Sequence, residues 1–332
     1  MAYAAFRSIG AYIPPKIMTN HDFEKIIDTS DEWITKRTGI KERRIAEDNE
    51  ASSDLAVRAA EVAIQRANIA KEDIDLVVCA TVTPDYLCMP STACLIASKL
   101  GLPPVMAFDI SAACTGFVYV LNVAKAFIES GMKKNVLIIG AEKYSSILDY
   151  TDRSTCFLFG DGAGAAIISA TNNKEEAIVD VQCSSDGNHN DVIQTPGGGS
   201  KNPCSQEVLD NKMACIKMKG NETFKLAVKT LTSDVKEIME KNNVTNDDID
   251  HFIPHQANYR IIKSVGESLG LKKEQIVVTV HKYGNTSAAS IAMAMNDAYE
   301  EGKIKKGDTI LFDAFGAGLT WGSALFKFSP KN

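Results

Sequence analysis

Apolar and polar positions change their period repeatedly along the chain. Residues 74–80 (IDLVVCA) and 134–140 (KNVLIIG) are short, nearly unbroken apolar runs of the kind that buried strands carry. Between them, Phe117, Val120, Leu121, Ala124 and Ile128 recur at helical spacing, predicting a helix over 115–131 that Gly131 closes. Another helix is expected over 53–64, where Ser53 and Asp54 offer a start and an apolar stripe follows. This alternation predicts a mainly parallel sheet with helices packed on its faces.

The pattern also repeats itself. Residues 129–140 (ESGMKKNVLIIG) resemble 300–312 (EEGKIKKGDTILF), with Gly131 falling on Gly302. The same displacement carries Cys114 onto Asn285, each just before its helix. Upstream, Asp73-Ile74-Asp75 matches Asp248-Ile249-Asp250. The chain therefore reads as two fused βαβ-rich halves, each offering one polar residue at an equivalent position.

Composition narrows the class. A chain of 332 residues with 45% hydrophobic and 23% charged positions supports a large core, in one big domain or two smaller ones. A net charge of −6 without a Lys/Arg block argues against nucleic acid as the main partner. The uncharged run 110–124 is too short and too polar for a membrane span. Residues 1–7 lack the pattern of a secretory signal. The eight cysteines (Cys79, Cys88, Cys94, Cys114, Cys156, Cys183, Cys204 and Cys215) form no C-x-x-C pair, so reduced thiols in a cytoplasm are expected.

Three segments carry candidate chemistry. Cys114 lies in 109–116 (DISAACTG), at a turn of small residues before the expected helix, where the helix start would favour thiolate. An inert buried cysteine is the alternative, and it suits the other seven. His255 follows 251–254 (HFIP), so it stands at a strand's carboxyl end, where open αβ sheets bind ligands. A metal site at His251 and His255 lacks the Glu and the third ligand that it would need, leaving a structural histidine as the alternative. Asn285 sits in 281–290 (HKYGNTSAAS), where Gly-Asn alone reads as a turn. The glycine-rich runs 159–164 (FGDGAG) and 315–318 (FGAG) fail the dinucleotide and phosphate-loop patterns, and 195–200 (TPGGGS) reads as a mobile loop.

Taken together, the segments 29–40 (TSDEWITKRTGI), the Cys114 turn, 160–164 (GDGAG), 254–258 (PHQAN), 283–285 (YGN) and 320–322 (TWG) resemble β-ketoacyl-acyl-carrier-protein synthase III. That family initiates bacterial type II fatty acid synthesis, and the resemblance runs along nearly the whole chain. It implies an α/β class with the thiolase-like fold: two duplicated βαβ-rich halves, over 1–174 and 175–332, forming a five-layer αβαβα sandwich. Cys114 would be the nucleophile in the first half, with His255 and Asn285 in the second.

The implied reaction is a decarboxylative condensation of an acyl-coenzyme A primer, acetyl-coenzyme A for preference, with malonyl-acyl-carrier protein. Cys114 would take the acyl group, while His255 and Asn285 stabilise the malonyl-derived enolate. The backbone N–H groups of Cys114 and Ala317 would form the oxyanion hole. Many relatives carry glycine in place of Ala317, and a positive φ there would cost alanine energy. Asn285 cannot remove a proton, which favours decarboxylation over deprotonation as the route to the carbanion.

Trp33, Arg37, Arg153, Asn221, Phe224 and Asn258 would hold coenzyme A, which is a substrate; no cofactor and no metal are implied. Gln256, Ala257, Asn258, Tyr259, Arg260, Lys225 and Lys263 would meet the carrier protein. A homodimer is implied, with Met89 of 86–90 (YLCMP) entering the acyl pocket of the other subunit. The other readings are a secondary-metabolism acyltransferase of the same fold and a non-catalytic acyl-binding protein.

Overall fold

The computed structural model describes residues 2–331. Its first sheet has strands β1 (Tyr3–Tyr12), β2 (Leu76–Ala80), β3 (Met106–Ile110), β4 (Asn135–Lys143) and β5 (Asp161–Thr171), in the order β1-β5-β4-β2-β3. The second has β6 (Ile178–Ser185), β7 (His251–Pro254), β8 (Thr309–Gly316) and β9 (Thr320–Lys327), in the order β7-β8-β9-β6. Beside β7, Ile276 pairs with Phe252 in parallel, where β3 pairs with β2 in the first sheet. The two sheets thus repeat one topology, joined through 172–177.

Both sheets are mixed, which corrects the mainly parallel expectation. In the first, β2 runs parallel to β3 and β4, whereas β5 is antiparallel to both β4 and β1. In the second, β9 is antiparallel to β8 and β6. The hairpin joining β8 to β9 is short enough to return the chain directly, with no crossover helix.

Between the sheets lie two helices, α1 (Gly116–Glu129) and α2 (Ser290–Glu300), whose apolar faces form one core with Val78, Ile138, Ile253 and Phe312. The helix Ser52–Ala67 covers the outer face of the first sheet, packing on Val77, Cys79, Leu137 and Ile139. The helix Gly220–Lys241 does the same for the second, packing on Phe252, Leu311 and Leu325. Five layers result. Strands covered on both faces need unbroken apolar runs, and this is why 74–80 and 134–140 read as they do.

The internal echo has a physical basis and one error. Asp75 accepts the Lys134 N–H at 2.8 Å and Asp250 accepts the Thr309 N–H at 2.8 Å, so each aspartate secures the start of the next strand. Gly131 and Gly302 close the two central helices at φ 76° and 70°. The helix starts align differently, because α2 has 11 residues against 14 in α1. Ala113 and Ser287, at φ 46° and 47°, open matching 3₁₀ turns, Ala113–Thr115 and Ser287–Ala289. Cys114 therefore corresponds to Ala288, and Asn285 precedes its turn by two residues. The expected equivalence of Cys114 and Asn285 does not hold.

A Cβ on Gly164 of β5 would stand 2.3 Å from the Ala292 Cβ of α2. Gly164→Val should therefore destabilise the fold by about 3 kcal/mol, as overpacking between a sheet and a helix does. Chemical denaturation with the wild type alongside measures this, and an unchanged midpoint would show that the layers can part there.

Candidate active site

Cys114 is held in the 3₁₀ turn that leads into α1, only 8% exposed. Thr115 Oγ1 donates to the Thr320 carbonyl at 3.1 Å, tying this turn to the β8–β9 hairpin. The approach is close, since a Cβ on Gly316 would lie 2.7 Å from the Cys114 nitrogen. Burial pushes the Cys114 thiol up to about 12, although the nearby Ser287 hydroxyl acts in the opposite direction. The expected easy ionisation at a helix start is thus overridden by desolvation in the free protein.

His255 stands one residue beyond β7, its N–H donating to the Asp313 carbonyl at 2.7 Å. Ser290, the first residue of α2, places Oγ 2.7 Å from His255 Nδ1 while accepting the Gln256 N–H at 3.3 Å. When Ser290 Oγ donates to Nδ1, the proton of the neutral imidazole sits on Nε2. Burial lowers the His255 pKa to about 3, so the ring is neutral at physiological pH. Its Nε2 has no hydrogen-bond partner among the described residues.

Asn285 is arranged in the same way. Its backbone bonds both Leu158 and Gly160, and its Oδ1 accepts the Ser287 N–H at 2.8 Å. The acceptor end is occupied, so the Nδ2 amide is the end left to donate. Cys114, His255 and Asn285 all line one cavity of about 540 Å³. A second cavity of about 600 Å³ shares Ala113, Tyr144, Ile193, Ile216 and Ala317 with it, so the two meet beside the thiol. The result is a nucleophile with two neutral donors, between a long approach and a separate chamber.

The sequence profile of 3-oxoacyl-[acyl-carrier-protein] synthase III matches residues 108–187, and that of its C-terminal part matches 239–328. A β-ketoacyl-[acyl-carrier-protein] synthase III of Aliarcobacter butzleri is 83% identical over 330 residues, 99% of each chain. One from Sulfurovum sp. is 67% identical over 99% of this chain and 97% of its own. The crystal structure of the Aquifex aeolicus synthase III superposes with a TM-score of 0.90 at 45% identity, covering 98% of this chain and 99% of that one. The chain belongs to the β-ketoacyl-[acyl-carrier-protein] synthase III family.

Around this synthase III centre, the structure brings together most of the residues expected to bind substrates. Trp33, Arg37, Arg153, Asn221, Phe224, Lys225, Ala257, Asn258 and Arg260 line the cavity that reaches Cys114. Arg37 and Arg153 each lie over the Trp33 ring, 4.7 and 4.8 Å from its centroid, and Arg260 lies 5.1 Å from that of Phe224. Met89 is 78% exposed on a loop that also carries Tyr86 and Leu87.

Other expectations need correction. Gln256 is buried, its side chain bonding Pro254, Val277, Thr279 and Val280, so it supports the His255 turn and is not a docking contact. Lys263 and Tyr259 line a different groove, behind the helix Tyr259–Ser268. His251 bonds Asp308 at 3.0 Å, away from any partnership with His255. Ala317 has no positive φ; that conformation falls on Gly318, at 141°, so alanine is accommodated without strain. The run 195–200 is tied down by the Gly197 N–H to the Met213 carbonyl at 2.8 Å, and Thr195 lines the chamber.

Sequence reasoning passed over Ser290 and Ser287, whose roles rest on neighbours distant in the chain. It also passed over Gly316, although its place in 315–318 was visible. Gly316→Ala should push on the Cys114 nitrogen and slow acylation by roughly a hundredfold, as misplacing a reacting group by about 1 Å does. Ala317→Gly should change little. Single-turnover acylation of both variants checks this, and the reverse order would return the tight position to Ala317.

Proposed function

We propose that the protein condenses an acyl-coenzyme A primer, acetyl-coenzyme A for preference, with malonyl-acyl-carrier protein. The products are 3-oxoacyl-acyl-carrier protein, coenzyme A and carbon dioxide. The observation that carries this reading is the matched state of His255 and Asn285. Asn285 has its Oδ1 occupied by the Ser287 N–H, and with Ser290 donating to Nδ1 the neutral His255 likewise keeps an Nε2–H to donate, in the cavity both share with Cys114.

Cys114 takes the acyl group from coenzyme A, with the N–H groups of Cys114 and Ala317 stabilising the tetrahedral oxyanion. The malonyl thioester then replaces coenzyme A in the same cavity. His255 Nε2 and Asn285 Nδ2 donate to its carbonyl oxygen, and this stabilises the enolate left when carbon dioxide departs. Neutral donors suit this step, because neither must gain or lose a proton. The enolate attacks acyl-Cys114. Its tetrahedral adduct collapses to the 3-oxoacyl product, and no resident cofactor or metal is needed.

Trp33, Arg37 and Arg153 fit the adenine and phosphate end of coenzyme A, with Asn221, Phe224 and Asn258 along the tunnel. Lys225 and Arg260 supply positive charge at the cavity where an acidic carrier protein would dock, despite the net charge of −6. The exposed Tyr86, Leu87 and Met89, beside the edge strand β3, fit a homodimer in which Met89 enters the chamber of the second copy. Among the described residues no helix is long and apolar enough to cross a membrane, and a cytoplasmic enzyme is proposed.

Intact-mass analysis after mixing with acetyl-coenzyme A should show an acyl adduct on the wild type and none on Cys114→Ser. His255→Ala or Asn285→Ala should each slow malonyl decarboxylation by roughly a hundredfold, the usual effect of deleting one oxyanion donor. Acylation should suffer less. Absence of the wild-type adduct, or equal loss in both steps, would sink the assignment.

For docking, Lys225→Glu with Arg260→Glu should weaken carrier-protein binding mainly through its association rate and flatten its salt dependence. Lys263→Glu should do less, because that side chain lies on the other groove. Stopped-flow binding at several salt concentrations decides it, and an unchanged slope in the double variant would move the docking surface elsewhere.

A further inference from the structure

Asn285 lies in no helix or strand, so its place depends on what holds its backbone. Its N–H donates to the Leu158 carbonyl at 2.9 Å, and its carbonyl accepts the Gly160 N–H at 3.0 Å. Phe159 and Asn285 thereby form an isolated parallel bridge, just before β5 begins. The next carbonyl back along the chain, that of Phe157, is taken by Arg43, whose Nη2 donates to it. The stem of Arg43 also packs on the bridge. A Cβ on Gly160 would stand 3.1 Å from the Arg43 Cβ, and one on Gly284 would stand 3.3 Å from it. One side chain therefore covers both sides of the bridge and anchors its approach.

Arg43 lies in the short strand Glu42–Ile45, paired with Lys16–Thr19, and is wholly buried. Its Nη1 donates to Asn20 Oδ1 at 2.9 Å and to the Met18 carbonyl at 3.2 Å. The guanidinium carbon lies 4.7 Å from the centre of the Phe23 ring. Among the described residues none of its hydrogen-bond partners is a carboxylate, and its Nε makes no hydrogen bond. Burial lowers its pKa to about 10, which leaves it charged at physiological pH. A buried cation held by neutral oxygens is costly, and an apolar side chain of similar volume serves packing alone better. What the rigid fork supplies is donors in fixed directions, to oxygens of two segments at once. Those segments, 18–20 and 157–160, are far apart in the chain.

We propose that Arg43 is a positioning residue for Asn285. By fixing the Phe157 carbonyl it sets the bridge at 158–160, and with it the point at which Asn285 Nδ2 meets the enolate oxygen. This deepens the condensing reading above and rests on it. Arg43 itself does not line the cavity, whereas Phe157, Leu158, Phe159 and Asn285 do. A second route runs from the same guanidinium towards the coenzyme A end. Asn20 Nδ2 donates to Asp31 Oδ1 at 2.9 Å, in the helix Asp31–Thr38 that carries Trp33 and Arg37. The two routes separate chemically, because malonyl-carrier protein brings no adenine. A loss through Asn285 falls on decarboxylation, while a loss through Trp33 falls on acylation by acetyl-coenzyme A.

The test is a double-variant cycle read on malonyl decarboxylation, with single-turnover acylation by acetyl-coenzyme A measured on the same proteins. Arg43→Met fills the space without donors and should slow decarboxylation by roughly a hundredfold, the scale of displacing a reacting group by about 1 Å. Acylation should fall much less. Arg43→Lys keeps the charge on a single ammonium that cannot bridge both segments, and should slow decarboxylation by roughly tenfold. The cycle runs with this variant if Arg43→Met does not fold. In an Asn285→Ala background either substitution should cost less than about twofold more, because the amide that it positions is gone. An Arg43 loss repeated in full in that background overturns the proposal. So does Arg43→Lys at the wild-type decarboxylation rate, or an acylation loss as large as the decarboxylation loss. A wild type that acylates but releases no carbon dioxide from malonyl-carrier protein overturns the condensing reading itself, and the role of Arg43 with it.

Discussion

Two helix starts meet inside this molecule because the first sheet lets backbone touch backbone. A Cβ on Gly140 of β4 would stand 2.3 Å from the Ala288 carbonyl oxygen, and one on Gly164 would strike Ala292. These contacts seat the turn before α2 directly on the sheet that also carries the turn before α1. Cys114 comes from one turn, while Ser287 and Ser290 come from the other and its helix. The site therefore follows from layer spacing, and every donor or acceptor in it is positioned by the rigid centre of the sandwich.

Depth then decides ionisation. The same desolvation raises the Cys114 thiol and lowers the His255 imidazolium, because in each case it disfavours the charged form. Cys114, His255 and Asn285 are consequently uncharged at rest. Charge appears only as bonds change, and it meets dipoles already oriented by Ser290, by the Ser287 N–H and by the backbone near Gly316. Such preorganisation is worth most where water is excluded. It also explains why two neutral donors, His255 and Asn285, suit the enolate.

Much of this was legible in the chain. The apolar runs at 74–80 and 134–140 and the helical stripe from Phe117 to Ile128 are local signals, and each element formed within a few residues of its expected bounds. The duplication was readable from Gly131 and Gly302 and from the paired aspartates Asp75 and Asp250, which perform one task twice. The mixed sheets were less legible, since strand direction depends on which strands become neighbours. Alignment of Cys114 with Asn285 failed because matching the ends of two helices says nothing about their starts when their lengths differ.

The sequence by itself determined the elements, the repeat and the candidate set of Cys114, His255 and Asn285, because periodicity and turn chemistry act over a few residues. Tertiary structure alone decided what state those groups are in. The His255 tautomer depends on Ser290, 35 positions away. Gln256 looked exposed beside a docking helix, yet it is buried because the segment at 277–280 folds over it and uses both ends of its amide. Ala317 looked strained, yet the demanding backbone falls on Gly318 while the tight contact falls on Gly316. Burial and hydrogen-bond partnership are properties of which residues meet across layers, and no local pattern encodes them.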